Sequence, residues 1–231
     1  MTDPIPQSGG PIEPTHIADL AAASHILVAQ GVVDGFGHVS MRHPTVPNRY
    51  FMARSVAPAL VTPEDIIEYD LDSRPCNANG RGSFLERFIH GEIYKARPDV
   101  MSVIHSHSPS VVPFGLAKKP MQAMFHNAAF LAEGVPVFDM ALAQVLGRKH
   151  VCMMRAHGSV ACGASLQTAV FRAVYTEVNA RIQHWAVALS EGEDLAALDT
   201  EEGRLADAVN QNAGMRAWDL WRSQARTKLG W

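Results

Sequence analysis

Cysteine is scarce in this sequence. The 231 residues include only Cys76, Cys152 and Cys162, and no two of them form a Cys-x-x-Cys pair. Three scattered thiols exclude a disulfide framework and favour a reducing compartment. A signal peptide is not apparent either, because residues 1–11 contain neither a basic region nor an apolar one. We therefore expect a cytoplasmic protein.

Positive charge is not in surplus, and long apolar runs are missing. The 20 Lys and Arg residues are outnumbered by 23 Asp and Glu residues, which gives a net charge of −3. This balance excludes a nucleic-acid coat and a polybasic membrane arm. No apolar run approaches the roughly 18 residues that a membrane helix needs. The sequence thus predicts no nucleic-acid partner and no membrane partner.

The overall composition is that of a globular protein, with one unusual residue type. Hydrophobic residues make up 47% and charged residues 19%, which excludes a disordered chain, a fibrous repeat and a coiled coil. Histidine occurs eleven times, a number typical of proteins with a metal site. Residues 1–13, rich in Pro and Gly, are predicted to be a flexible leader, and residues 14–231 a single domain.

Hydrophobic periodicity predicts interleaved strands and helices. Predicted strands cover residues 38–42, 50–54, 66–71, 100–104, 135–138, 151–155 and 158–161. Predicted helices cover 14–30, a short stretch capped by Thr62, 83–97, 121–133, 141–148, 166–189 and 201–226. The turns between several strands are too short for a repeated strand–helix–strand series. This pattern favours an α/β fold with a mixed sheet covered by helices.

Two histidines follow a short apolar strand. His105 and His107 are two residues apart, and side chains at that spacing on a strand point to the same face. Two converging imidazoles suit a divalent metal that binds nitrogen at about 2.0–2.1 Å. The alternative is a pair of polar residues that open a loop.

Two more residues extend this candidate site. His157 lies between two predicted strands and before Gly158, so it is a candidate third ligand; alternatively it is a solvated residue at a hairpin tip. Glu86 lies in the first turn of a predicted helix, where an acid also stabilises the helix dipole. Three His and a carboxylate would form a nearly closed tetrahedral site, and a displaceable carboxylate would act as a general acid or base.

Four segments together resemble the class II aldolase/adducin family. The first runs from Glu86 to His107 and combines an acid, a helix, an Arg-Pro-Asp-Val segment and a strand that ends in His-x-His. The others are residues 37–42, 60–67 and 155–158, and the likeness extends over about residues 15–188. The first segment is the most specific of the four.

The resemblance implies a fold, an assembly and a cofactor. The expected fold is an α/β/α sandwich around a central, mostly antiparallel sheet. The expected assembly is a fourfold homotetramer with active sites between subunits. One divalent metal ion per subunit is expected to be held by His105, His107 and His157. Glu86 corresponds to the acid/base carboxylate of the family, which can also touch the metal.

Departures from the family pattern indicate a branch. Sugar-phosphate aldolases of the family carry an Asn where this chain has His38, and a Ser-Ser pair where it has Phe84 and Leu85. Their Thr-Gly segment corresponds to Arg-Ser-Val-Ala-Pro at residues 54–58. The groups that cradle a phosphate are therefore missing. The pattern resembles the branch that decarboxylates hydroxylated aromatic acids such as pyridine dicarboxylates and dihydroxyphthalates.

This branch implies a set of substrate-binding residues. Arg54 and Arg155 suit carboxylates, because a guanidinium forms two parallel hydrogen bonds with them. Ser55 belongs to the same motif as Arg54, and Phe84 and Phe125 suit a flat ring. Arg54 has an alternative role as a surface charge on a strand, and Arg155 as an ion-pair partner.

The function expected from these residues is metal-dependent decarboxylation of an ortho-hydroxylated aromatic carboxylate. Loss of carbon dioxide leaves an electron pair on a ring carbon, and a Lewis-acidic metal can accept that charge. Mn²⁺ or Zn²⁺ is favoured, and Fe²⁺ and Co²⁺ are compatible. Glu86 or His38 would deliver the proton, and His38 has the alternative role of a core residue.

Three other functions remain compatible with the sequence. The first is an aldolase acting on a non-phosphorylated hydroxy-keto substrate with the same metal. The second is an iron-dependent oxygenase, in which Glu86 completes the ligand set. The third is a non-catalytic, adducin-like interaction module, which would not need four metal-ligand candidates.

Overall fold

One seven-stranded sheet forms the centre of the protein. The computed structural model describes residues 4–138, 142–191 and 194–230. The strands are β1 (His38–Arg42), β2 (Arg49–Ala53), β3 (Ile66–Asp70), β4 (Ser102–Ser106), β5 (Val137–Phe138), β6 (Val151–Met154) and β7 (Gly158–Gly163). Their order across the sheet is β3-β2-β1-β4-β7-β6-β5. All neighbours pair antiparallel except β5 and β6, which pair parallel.

Helices cover both faces of this sheet. They are α1 (Pro14–Ala29), α2 (Phe88–Ala96), α3 (Leu142–Leu146), α4 (Leu166–Leu189) and α5 (Thr200–Leu229). Helices α1, α4 and α5 contact one another on one side, and α2 and α3 contact each other on the opposite side. The predicted α/β/α sandwich with a mostly antiparallel mixed sheet is thereby confirmed. None of the helices in the described ranges is long and apolar enough to cross a membrane.

Alternation along the strands divides the interior into two cores. On β1, Val39 and Met41 pack in the core beneath α1, α4 and α5. Ser40, between them, points to the opposite face, where its hydroxyl bonds the side chain of Tyr94 on α2. Since successive strand residues face opposite sides, His38 shares the α2 side with Ser40.

Helix α4 packs differently over its two halves. Its apolar residues at helical spacing are buried at Val170 and Val174, but Trp185 and Leu189 are 63% and 84% exposed. The buried positions of the second half include Asn179 and Gln183 instead. The buried face therefore changes from apolar to polar in mid-helix.

The polar half of α4 explains why a predicted helix is missing. Residues 121–133 contain only a short 3₁₀ segment, His126–Leu131. The preceding backbone bonds to α4: the amide of Gln122 donates to Gln183 and the amide of Met124 to Asn179, at 2.9 and 2.8 Å. Asn179 in turn donates from Nδ2 to the Gln122 carbonyl at 2.8 Å, so α4 occupies a carbonyl that in a helix would accept from the amide four residues later.

Two other predicted helices are shorter than expected. Thr62 precedes a single 3₁₀ turn, Pro63–Asp65, closed by a capping box. The predicted helix 83–97 begins with a 3₁₀ turn at Leu85–Arg87, and α2 follows. The predicted start of α3 at residue 141 lies outside the described residues.

The end of the predicted leader contacts the sheet. The Ser8 hydroxyl and the Gly9 amide donate to the buried carboxylate of Glu68 on β3, at 2.5 and 2.6 Å. At the other end of the chain, Trp218 and Trp221 of α5 are buried against the same core as α1.

Candidate metal centre

The central strands of the sheet position the first two histidines. His105 is fully buried near the end of β4, and His107 follows the strand by one residue. In the β1–β4 register, His105 lies opposite His38. The predicted same-face arrangement holds: the Nε2 atoms of His105 and His107 are 3.0 Å apart.

A tight turn brings His157 to the same place. The turn connects β6 and β7, and Ala156 within it has a φ of 57°. Gly158 follows, and a Cβ atom at this position would lie 2.2 Å from the carbonyl oxygen of Ser106 and 2.9 Å from Cδ2 of His107. Only glycine permits this close approach of β7 to the end of β4. His157 is therefore held beside the other two histidines.

Glu86 approaches from the α2 side of the sheet. It lies in the 3₁₀ turn Leu85–Arg87, which is fixed by its own last residue: Arg87 donates from Nε to the carbonyl of Ser73 and from Nη1 to that of Phe84. The Glu86 carboxylate is 2.8 Å from Nε2 of His157 and 3.4 Å from Nε2 of His105.

The four side chains form one cluster. One ligand atom from each of Glu86, His105, His107 and His157 lies within 4.8 Å of the others. Two nitrogen ligands of a tetrahedral ion at about 2.0–2.1 Å are separated by about 3.4 Å. The observed spacing and the donor set of three imidazoles and one carboxylate therefore fit a divalent metal.

A hydrogen bond beyond the cluster orients His105. Its Nδ1 lies 3.1 Å from the backbone carbonyl oxygen of Ser159, which can only accept, so Nδ1 carries the proton. The Nε2 lone pair of His105 consequently points at Nε2 of His107. Two ring nitrogens this close need a shared positive partner, which a proton or a metal cation supplies. Such a carbonyl partner is the usual outer contact of a metal-bound histidine.

Electrostatics in the cluster favour the forms that bind metals. The neighbouring imidazoles of His105 and His38 hold the pKa of Glu86 far below its usual value. Partial burial, followed by the charge of His105, lowers the pKa of His107. The carboxylate is thus ionised and the His107 ring neutral at pH 7, as metal ligation requires.

His38 lies directly behind the cluster. Its Nε2 is 3.8 Å from the Glu86 carboxylate, which is too long for a hydrogen bond, and this buried atom has no hydrogen-bond partner among the described residues. Burial, only partly offset by Glu86, lowers the pKa of His38 to about 4. The Phe84 ring packs on the His38 ring at 4.7 Å between centroids.

The remaining predicted substrate residues are less closely joined to the cluster. Arg54 donates from Nε to Asp65 at 2.5 Å. Ser55 is exposed, and its amide donates to the carbonyl of Gly82. Arg155 is exposed in the turn that carries His157. Phe125 packs on the ring of Tyr175 and belongs to the core beneath α1.

Several residues around the site were not predicted from the sequence. Phe36 is largely exposed, and its ring is 6.4 Å from that of His107. Behind His38, a chain of buried polar groups continues through His90, Ser40 and Tyr94. Two spacings in the sequence indicate this chain: His38-x-Ser40 on a strand, and His90 with Tyr94 four residues later on a helix.

Comparison with known proteins identifies the family. The model of the class II aldolase and adducin N-terminal domain matches residues 18–184. The chain belongs to the class II aldolase/adducin family, as its motifs indicate. It is 32% identical over 242 residues to decarboxylase tropJ of Talaromyces stipitatus, with 88% of this chain and 91% of that protein covered. It is 31% identical over 210 residues to a 3,4-dihydroxyphthalate decarboxylase of a Terrabacter species, with 78% and 87% covered.

Solved structures show the same fold. An L-fuculose 1-phosphate aldolase from Glaciozyma antarctica superposes with a TM-score of 0.81 at 20% identity, covering 97% of this chain and 95% of that one.

Proposed function

We propose that the protein is a divalent-metal-dependent decarboxylase of an ortho-hydroxylated aromatic carboxylate, with a dicarboxylate preferred. The observation that carries the proposal is a cluster of three His and one Glu, with the ring of Phe36 near His107 and the ring of Phe84 packed on the adjacent His38. Two relatives with similarity over most of this chain are named decarboxylases, and one of them acts on a dihydroxyphthalate.

The reaction replaces a carboxylate on the ring with a proton. The bond between the ring carbon and the carboxylate carbon breaks, carbon dioxide leaves, and the electron pair stays on the ring carbon until a proton is added. A metal bound by His105, His107, His157 and Glu86 would supply a Lewis acid that stabilises this charge. The protein residues hold the ring in place and provide the proton.

The geometry favours His38 over Glu86 as the residue that presents a proton donor to the substrate. Glu86 is one of the four candidate metal ligands, and its carboxylate lies 2.8 Å from Nε2 of His157. His38 has a buried Nε2 that faces the cluster and has no hydrogen-bond partner among the described residues. A neutral N–H donor in that position would hydrogen-bond the departing carboxylate or an anionic oxygen of the substrate.

Arg54 is proposed to bind the second carboxylate. Asp65 accepts from its Nε at 2.5 Å and fixes the guanidinium plane. A guanidinium has five N–H donors, so the terminal nitrogens retain donors for a substrate carboxylate. Arg155 and Ser55 are proposed to line the same substrate site.

A metal and carbon dioxide assay tests the proposal. Purified protein should contain one Mn²⁺ or Zn²⁺ per chain by elemental analysis. It should release carbon dioxide from a dihydroxyphthalate or a hydroxypyridine dicarboxylate. His107→Ala should lose both properties, whereas His184→Ala should keep them, because His184 stacks on Phe114 outside the cluster. Release of an aldehyde from a hydroxy-keto substrate, with no carbon dioxide from any aromatic acid, would favour the aldolase alternative.

We also propose a homotetramer. Leu85 and Phe88, on either side of Glu86 in the chain, are 87% and 51% exposed, and large apolar side chains exposed this way are typical of interfaces. Light scattering should give a mass four times the 25.1 kDa of one chain. A 25.1 kDa species at micromolar concentration would contradict the proposal.

A further inference from the structure

A continuous chain of short hydrogen bonds leads from His38 into the protein interior. Nδ1 of His38 is 2.7 Å from Nε2 of His90, and Nδ1 of His90 is 2.6 Å from the Ser40 hydroxyl. The Ser40 hydroxyl is 2.7 Å from the hydroxyl of Tyr94. All four residues are buried. His90, Ser40 and Tyr94 are not among the candidate metal ligands found within the described residues.

The order of protons along this chain can be worked out from its inner end. Burial raises the pKa of Tyr94, so its hydroxyl keeps its proton. Ser40 is the one hydrogen-bond partner of this hydroxyl within the described residues, so Tyr94 donates to Ser40. The proton of Ser40 then has two acceptors, Nδ1 of His90 at 2.6 Å and the Val103 carbonyl at 3.5 Å. The shorter contact is much the stronger.

The order continues through both imidazoles. Burial, followed by the charge of His38, lowers the pKa of His90 well below its usual value, so the ring carries a single proton. Because Nδ1 of His90 accepts from Ser40, that proton is on Nε2 and is donated to Nδ1 of His38. A neutral His38 therefore carries its own proton on Nε2, the atom that faces Glu86 at 3.8 Å.

We propose that Tyr94, Ser40 and His90 are positioning residues that hold His38 as an Nε2–H donor directed into the candidate metal centre. In the opposite order His90 donates from Nδ1 to Ser40, and either the Tyr94 hydroxyl lacks an acceptor among the described residues or the Ser40 proton is left with only the Val103 carbonyl at 3.5 Å. That order would also direct the lone pair of His38 Nε2 at a carboxylate oxygen. Both arrangements are costly in a buried site. The donor so produced suits an anionic substrate oxygen beside the metal ligands.

Nuclear magnetic resonance of ¹⁵N-histidine-labelled full-length protein tests this order directly. Long-range ¹H–¹⁵N correlation distinguishes the two tautomers, and the signals are assigned with His38→Gln and His90→Gln. Both rings should be Nε2–H in the wild type at pH 7. In Tyr94→Phe, which keeps the ring packing, the Nδ1–H form of His38 should become populated. An Nδ1–H His38 in the wild type, or no change in Tyr94→Phe, would overturn the proposal.

A matched variant controls for loss of a buried phenol. Tyr69 stacks in the same aromatic cluster, and its hydroxyl donates to Ser83 at 2.9 Å, outside the chain that leads to His38. Tyr69→Phe should leave both tautomers unchanged. A His38 tautomer change of the same size in Tyr69→Phe would show that general packing sets the tautomer.

The kinetic arm rests on the proposed function. Tyr94→Phe and Ser40→Ala should each lower kcat for carbon dioxide release about three- to tenfold, the effect of one buried hydrogen bond, with KM and metal content within twofold of wild type. Tyr69→Phe should not change kcat. If the wild type releases no carbon dioxide, the proposed function fails, whereas the tautomer measurement still decides the positioning role. A kcat unchanged in both variants of an active enzyme would overturn that role.

Discussion

Replacing Gly158 with alanine should weaken metal binding far more than a comparable clash elsewhere on the same strand. The added Cβ would lie 2.2 Å from the Ser106 carbonyl oxygen and 2.9 Å from Cδ2 of His107. Real Cβ atoms essentially never come closer than 3.0 Å, so the ends of β4 and β7 must separate by about 0.8 Å. Both strand ends carry candidate metal ligands.

The size of this separation sets the expected effects. A metal site must be held within about 0.5 Å of its working geometry, so a 0.8 Å displacement should lower metal affinity by about 10- to 100-fold. The steric cost itself should lower the free energy of unfolding by about 1–3 kcal/mol, as overpacking does in general.

Gly163→Ala provides the matched control. Gly163 is at the other end of β7, where a Cβ atom would lie 2.4 Å from the amide nitrogen of Ala169. This variant should lose similar stability in urea with chelator present but retain wild-type affinity for Zn²⁺ by competition with a chromophoric chelator. Equal Zn²⁺ affinity in Gly158→Ala and wild type would refute the reasoning, as would an equal loss in both variants.

Three further predictions concern charge. Burial lowers the pKa of His38 from 6.5 to about 4, so on acidification this histidine is protonated in the unfolded chain before it is protonated in the folded protein. The free energy of unfolding should therefore fall as pH decreases from 6.5 to about 4. The slope from this group is up to about 1.4 kcal/mol per pH unit in urea titrations of metal-free protein, and His38→Gln should remove it; an unchanged slope would contradict the assignment. Glu86→Gln should lower metal affinity at least about tenfold by calorimetry while changing metal-free stability by under about 1 kcal/mol, and retained affinity would exclude it as a ligand. Arg54→Lys should raise KM for a diacid about ten- to a hundredfold and leave a monoacid unaffected; equal effects on both would refute the diacid preference.

Much of the candidate metal centre could be predicted because its ligands depend on local geometry. His105 and His107 share a strand face by simple alternation, whatever the rest of the fold does. His157 and Glu86 reach these two histidines through contacts between distant segments of the chain. The resemblance to a known family supplied that information. The structure brings all four together.

The missed features depend on pairing between distant segments. In place of the helix predicted over residues 121–133, backbone amides there donate hydrogen bonds to the side chains of Asn179 and Gln183. These two residues are four apart on α4, and that spacing by itself predicts only a polar helix surface. Likewise, the link between His38 and His90 crosses from a strand to a helix 52 residues later. The pair on β1, His38 and Ser40, and the pair on α2, His90 and Tyr94, each have a regular spacing. Only the packing of α2 on the sheet brings the two pairs together.

The three candidate histidine ligands are anchored at the ends of β4 and β7, whereas several of the proposed substrate-binding residues lie elsewhere. His105 is fixed by a sheet register, whereas Arg54, Ser55 and Phe84 lie on connecting segments outside the strands. Connecting segments change readily without loss of the fold. A library that randomises these three positions should therefore yield variants that bind metal as the parent does but differ in the acids they accept. Directed evolution can thus change the substrate range of this scaffold without changing its candidate metal ligands.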